Sequence, residues 1–188
     1  MHRFLLSLLS LISLIGTSHA STNFPQDING MEMVQVTMYD SVAAGFSIRY
    51  EPLQSLDKLD LYLYTNGYEN LPDGISDPVR TEYDEIYSAI VQMEELGYYV
   101  GVTKPKRGES TITLGGEKIS YLWGYTQFKQ TSKAAGVKDT DSVRSSFYFV
   151  TAYQGRLMKL RYTIIESKFT TAFDRFMKVV DDLEAQMN

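Results

Sequence analysis

Apolar and polar positions alternate along much of this chain, and the alternation is clearest over Gly45 to Tyr50. There Phe46, Ile48 and Tyr50 share one face and Ser47 and Arg49 the other, until Pro52 ends the run. Leu59 to Thr65 repeats the pattern, with Leu59, Leu61 and Leu63 set against Asp60, Tyr62 and Tyr64, and Asn66-Gly67 supplies a turn. Met33 to Met38 reads as a short strand, and Ser21 to Gly30, polar and without a period, as a loose arm. Further strands are predicted at Tyr98–Thr103, Ser110–Leu114, Lys118–Phe128, Val143–Tyr153 and Leu157–Ile165. Gly115-Gly116 and Gln154-Gly155 are placed as hairpin turns, and Lys129 to Asp141 as a longer polar connection.

Two stretches carry helical spacing instead. Val79, Tyr83, Ile86, Ile90 and Met93 recur at three or four residues, after Ser76 or Asp77 as a cap and Pro78 in the first turn, and before Gly97. Glu82, Asp84, Glu85, Glu94 and Glu95 are expected on the solvated face of this helix. A closing helix over Ser167 to Met187 sets Phe169, Phe173, Phe176, Val180, Leu183 and Met187 in one stripe, with Asp174, Lys178, Asp181 and Glu184 outward. Short turns between successive strands favour antiparallel pairing. The order therefore predicts an α+β domain, a mostly antiparallel sheet of about six to seven strands packed by two helices.

The strand Gly45-Phe46-Ser47-Ile48-Arg49-Tyr50-Glu51-Pro52, the terminal hairpin Phe147 to Thr163 turning at Gly155 and the Phe-rich last helix together resemble the Mog1/PsbP-like domains. The resemblance spans residues 45 to 187 and implies an α/β/α sandwich around an antiparallel sheet. It also implies a role in binding or assembly rather than catalysis, and it transfers no functional residues.

The N-terminus reads as a signal peptide. His2 and Arg3 precede the apolar run Phe4 to Ile15, which at about 18 Å as a helix is too short for a hydrocarbon core of about 30 Å. Gly16 and Ser18-His19-Ala20 then place cleavage after Ala20. The expected organisation is residues 1–20 as signal peptide, 21–44 as an arm with a possible short strand, and 45–188 as one α+β domain. Export to a periplasm or to the outside follows, with no membrane anchor in the mature chain.

Composition then restricts the chemistry. Both histidines lie in the segment to be removed and the chain has no cysteine. Ser-His-Asp, Cys-His and His-ligated zinc mechanisms are excluded for the mature chain, as are disulfides; no metal site, cofactor or catalytic residue is nominated. Losing Arg3 takes the formal charge from −5 to −6, so nucleic acid is not an expected partner.

Three local motifs have structural readings. Ser55-Leu56-Asp57-Lys58 fits S-x-x-K but lies between two strands, without the companion motifs that would make it catalytic. Asp139-Thr140-Asp141-Ser142 offers too few carboxylates for a calcium loop and reads as a turn. Gly115-Gly116 lacks the rest of a nucleotide fingerprint.

The concentrated feature is aromatic. Tyr121, Trp123 and Tyr125 alternate with Ile119 on one side of a strand, and Tyr62 and Tyr64 share the polar face of another. Such rings either fill the space between sheet and helix or serve as binding anchors. Arg49, Lys159 and Arg161 occupy the less apolar faces of their strands and would form a basic, aromatic patch if those strands are neighbours. The candidate binding residues are thus Tyr121, Trp123, Tyr125, Tyr62, Tyr64, Arg49 and Arg161. The leading expectation is an exported, non-enzymatic domain that binds a partner protein or envelope component through an aromatic-rich sheet face or the Lys129 to Asp141 connection. The alternative is a hydrolase of cell-wall or polysaccharide material that works through Asp and Glu alone.

Overall fold

The computed structural model describes residues 24–134 and 139–188. The expected signal peptide lies outside them, as does part of the connection between Lys129 and Asp141. The described chain is α+β: nine strands in one antiparallel system with two helices. The strands are β1 (Asp27–Ile28), β2 (Met31–Met38), β3 (Phe46–Glu51), β4 (Lys58–Tyr64), β5 (Tyr99–Val100), β6 (Lys106–Leu114), β7 (Glu117–Gln130), β8 (Arg144–Tyr153) and β9 (Arg156–Ile165). The helices are α1 (Asp77–Glu95), between β4 and β5, and α2 (Phe169–Met187), after β9.

Across the sheet the order is β1-β2-β3-β4-β9-β8-β7-β5, and β6 pairs with the first part of β7. The count exceeds the six or seven strands expected; β1, only two residues long, is too short to leave a period in the sequence, and the strand read over Tyr98–Thr103 is present as the two-residue β5. The stretch read as a loose arm contains β1, which forms a hairpin with β2; β2 then pairs with β3 through a bulge between Met33 and Gln35. Ile28 and Met31 are buried there, and the Tyr50 hydroxyl donates to the Pro25 carbonyl at 3.0 Å.

The helices lie on opposite faces of the sheet. Ala172, Phe176, Val179, Val180 and Leu183 of α2 join Leu59, Leu61, Leu63, Phe147, Phe149, Leu160 and Tyr162 in one core. Val79, Tyr83, Ile86 and Ile90 of α1 join Leu122, Phe128, Tyr148, Val150, Ala152 and Leu157 in a second. Both stripes therefore match the helical spacing read in the sequence. Ser76 occupies the N-cap position of α1, but its hydroxyl makes no capping bond. Gly97 ends the helix with φ +76° in a Schellman turn, its N–H donating to the Glu94 carbonyl and that of Tyr98 to the Met93 carbonyl.

The acidic face of α1 has two exceptions, and one is Glu94, half-buried and accepting the Val102 N–H at 2.9 Å. Glu82 was expected in solvent and is only 6% exposed, because its side chain reaches over β9 to Lys159.

Gly124 in β7 lies beneath the Tyr148 ring of β8, so that a Cβ at this position would overlap the ring. Gly124→Ala is expected to lower stability by about 1–3 kcal/mol through overpacking. Urea unfolding would read the change as a lower midpoint with an unchanged slope.

Candidate functional site

The register separates the candidate residues into two groups on opposite faces. Ile119, Tyr121, Trp123 and Tyr125 of β7 point toward α2. Tyr121 lies 5.0 Å from Phe149, and Tyr125 lies 4.6 Å from Phe147 and 4.8 Å from Phe169. Trp123 is half-buried, 5.7 Å from Phe173 and packed over Gly108. Tyr121 and Tyr125 are 1% and 4% exposed. These three rings are therefore layered between sheet and helix, and as placed they do not form an open platform. The period-2 alternation identified their common side without showing that α2 covers it.

The second group is brought together. β3, β4 and β9 are neighbours, and the pairing sets Arg49 beside Asp60 and Asp60 beside Arg161. One row along, Ser47 stands beside Tyr62 and Tyr62 beside Lys159. On this face α1 lies over β7 and β8, so β9, β4, β3 and β2 continue beyond the helix. The result is a shallow surface of Gln35, Thr37, Ser47, Arg49, Asp60, Tyr62 and Arg161, with Tyr39 at its rim.

Its charges are organised. The Arg49 Nε donates to Asp60 Oδ1 at 2.8 Å, and this bond holds the guanidinium pKa above its ordinary value. Lys159 Nζ donates to Glu82 Oε1 at 3.1 Å and lies 5.0 Å from the ring centres of both Tyr62 and Tyr64. The cation is thus held by a buried carboxylate and two aromatic faces. Arg161 Nε donates to the Ser146 hydroxyl at 3.1 Å, and among the described residues Arg161 joins no ion pair. Sequence reading missed Glu82 and Asp60 as parts of this cluster. Asp60 had a signal, its place between Leu59 and Leu61, whereas Glu82 had none, because its helical position also fits a solvated face.

The remaining motifs have structural roles. Ser55 Oγ accepts the Asp57 N–H at 3.3 Å in the turn before β4, and the Asp57 carboxylate is buried against Arg175 of α2. Asp139 Oδ1 accepts the N–H groups of Asp141 and Ser142, each at 3.1 Å, as a side-chain-closed turn. Gly115 and Gly116, with φ +59° and +80°, form the β6–β7 hairpin turn. Among the described residues no group of three or more His, Cys, Asp or Glu comes together to hold a metal ion, and no helix is long and apolar enough to cross a membrane.

Two outcomes test this arrangement. Lys159→Met removes the partner of a carboxylate whose side chain is 8% exposed, and is expected to cost about 3–5 kcal/mol. The double variant Glu82→Leu/Lys159→Met should recover most of that loss in chemical denaturation, because no charge is then left buried. The second outcome concerns tyrosine ionisation. Burial, and then the charge of Asp60, pushes Tyr62 up to about 12, and burial with Glu82 pushes Tyr64 further. The folded state therefore keeps protons that the unfolded chain loses near the ordinary value of 10.0. Stability should hold below pH 10 and fall as pH rises through about 12, with phenolate absorbance appearing together with unfolding.

No family model matches this chain, and no curated protein matches it. Among solved structures, it is similar to the solution structure of cyanobacterial PsbP (CyanoP) from Synechocystis sp. PCC 6803. The two are 16% identical over 82% of this chain and 81% of that one, with a TM-score of 0.44. No residue role is carried across.

Proposed function

We propose that this chain acts after export as a non-enzymatic binding or assembly domain, and that it meets a partner protein or envelope component through the open face of β2, β3, β4 and β9. The observation that carries this reading is the convergence of Arg49, Tyr62 and Arg161 on the part of the sheet that α1 leaves uncovered, with Lys159 at its edge held by Glu82 of α1. Aromatic rings and arginines are the side chains enriched where proteins bind one another, because they bury large areas with few rotatable bonds and keep polar edges for hydrogen bonds. Here they stand on strands, which hold their spacing, and their rotamers are set by Ser146, Asp60 and Glu82. A surface fixed in this way loses little side-chain entropy on association.

A hydrolase acting through carboxylates has one feature in its favour, a cleft of about 410 Å³ between α1 and β6 that carries Asp84 and Glu109 on its two sides. A general acid needs apolar surroundings to hold its proton. Glu109 is instead 60% exposed and lies 3.4 Å from the Arg80 guanidinium. That setting suits a solvated ion pair, and binding is the reading the side chains support.

Affinity capture from envelope extracts tests the proposal, with the chain from Ser21 onward as bait. Tyr62→Ala/Arg49→Ala should lose the captured partner, whereas Arg80→Gln, on the side of α1 that faces β6, should keep it. Equal capture by the wild type and a folded double variant would refute the assignment of this face.

A further inference from the structure

Among the described residues, the open face has a place where positive charge is left without a carboxylate partner. Lys58, Asp60, Arg161 and Thr163 line a cavity of about 110 Å³, whose side wall is formed by Tyr99, Phe128 and Gln130. Lys58 stands directly across from Thr163, and Asp60 across from Arg161. Asp60 is already engaged by Arg49 Nε at 2.8 Å. Neither Lys58 nor Arg161 belongs to an ion pair among the described residues. With Asp60 balanced by Arg49, the cavity holds two uncompensated cations. Arg144, on the neighbouring strand, does not line the cavity and donates from Nη2 to the Asp139 carbonyl at 3.4 Å.

The arrangement around Arg161 is that of a receptor for an oxyanion. Its Nε is taken by the Ser146 hydroxyl, which is itself 3.2 Å from Thr163 Oγ1. That contact orients the guanidinium, and among the described residues its terminal nitrogens make no hydrogen bond. They remain as a forked pair of donors matched to the two oxygens of a carboxylate. Tyr99 and Phe128, stacked with ring centres 4.0 Å apart, give the cavity a low-dielectric wall that strengthens a charge contact made beside it.

We infer that this cavity is a carboxylate-binding subsite, filled by an acidic side chain of an extended partner segment lying across β9, β4 and β3. The inference rests on the open face being the binding surface and names the chemistry that the surface recognises. Arg161 and Arg49 stand two strands apart, roughly 10 Å at ordinary strand spacing. A segment with several acids can place one at Arg161 and Lys58 and another near Arg49.

The test is a calorimetric titration of the folded chain with hexaglutamate blocked at both ends, with glutarate and inorganic phosphate as separate arms. Saturable hexaglutamate binding is expected, weaker at higher salt and reduced about tenfold by Arg161→Gln or Lys58→Gln. Lys58 is exposed, so Lys58→Gln remains informative if the Arg161 variant does not fold. Arg80→Gln should bind as the wild type. Absence of saturation, or wild-type affinity in both site variants, would overturn the inference. Glutarate or phosphate binding as tightly as hexaglutamate would overturn it too, by making the cavity a site for small anions. If capture through Tyr62 and Arg49 persists while hexaglutamate fails to bind, the binding face stands and the carboxylate subsite falls.

Discussion

β8 is buried along all ten of its residues, so each of its side chains must be packed by one of two layers. Phe147 and Phe149 turn to α2, and Tyr148, Val150 and Ala152 to α1. The strand cannot be satisfied by a sheet with one wet face. It requires a helix on each side, and so it dictates the sandwich. The neighbours β7 and β9 then supply the rest of each layer, and Gly124 and Gly108 make room where the rings of Tyr148 and Trp123 would otherwise collide with their cross-strand partners.

The helices do not cover equal shares of the sheet. α2 packs under a core that runs from β1 to β7 and on to β6, whereas α1 lies over β7 and β8. That difference leaves half of one face uncovered, and the residues there are the polar ones of β3, β4 and β9. Arg49 is paired with Asp60 and Lys159 with Glu82, which fixes these side chains in the free chain, while Lys58 and Arg161 join no ion pair among the described residues. The pair at Glu82 also ties α1 to β9, and it links the buried half of the sheet to the open half.

Much of the fold was legible because the local patterns agree with the tertiary arrangement. The spacing of Val79, Tyr83, Ile86 and Ile90, the alternation in β3 and β4 and the turns at Gly115 and Gly155 each describe what the structure contains. β1 was not legible, since two residues cannot display a period, and of the strand read over Tyr98–Thr103 only the two residues of β5 pair in the sheet. For the site, the sequence placed Tyr62, Tyr64, Arg49 and Arg161 on the polar sides of their strands, and it tied their joining to whether those strands are neighbours. It also put Tyr121, Trp123 and Tyr125 on one side without indicating what covers them.

The sequence by itself determined the elements, their amphipathic faces and the absence of imidazole and thiol between Ser21 and Asn188. These follow from residue type and short spacing. Only the tertiary structure decided which faces meet: that β4 pairs with β9 across a separation of about a hundred residues, that α2 covers the β7 rings, and that Glu82 leaves solvent for Lys159. The physical reason is that alternation records which side a residue faces, whereas burial depends on what the rest of the chain lays over that side.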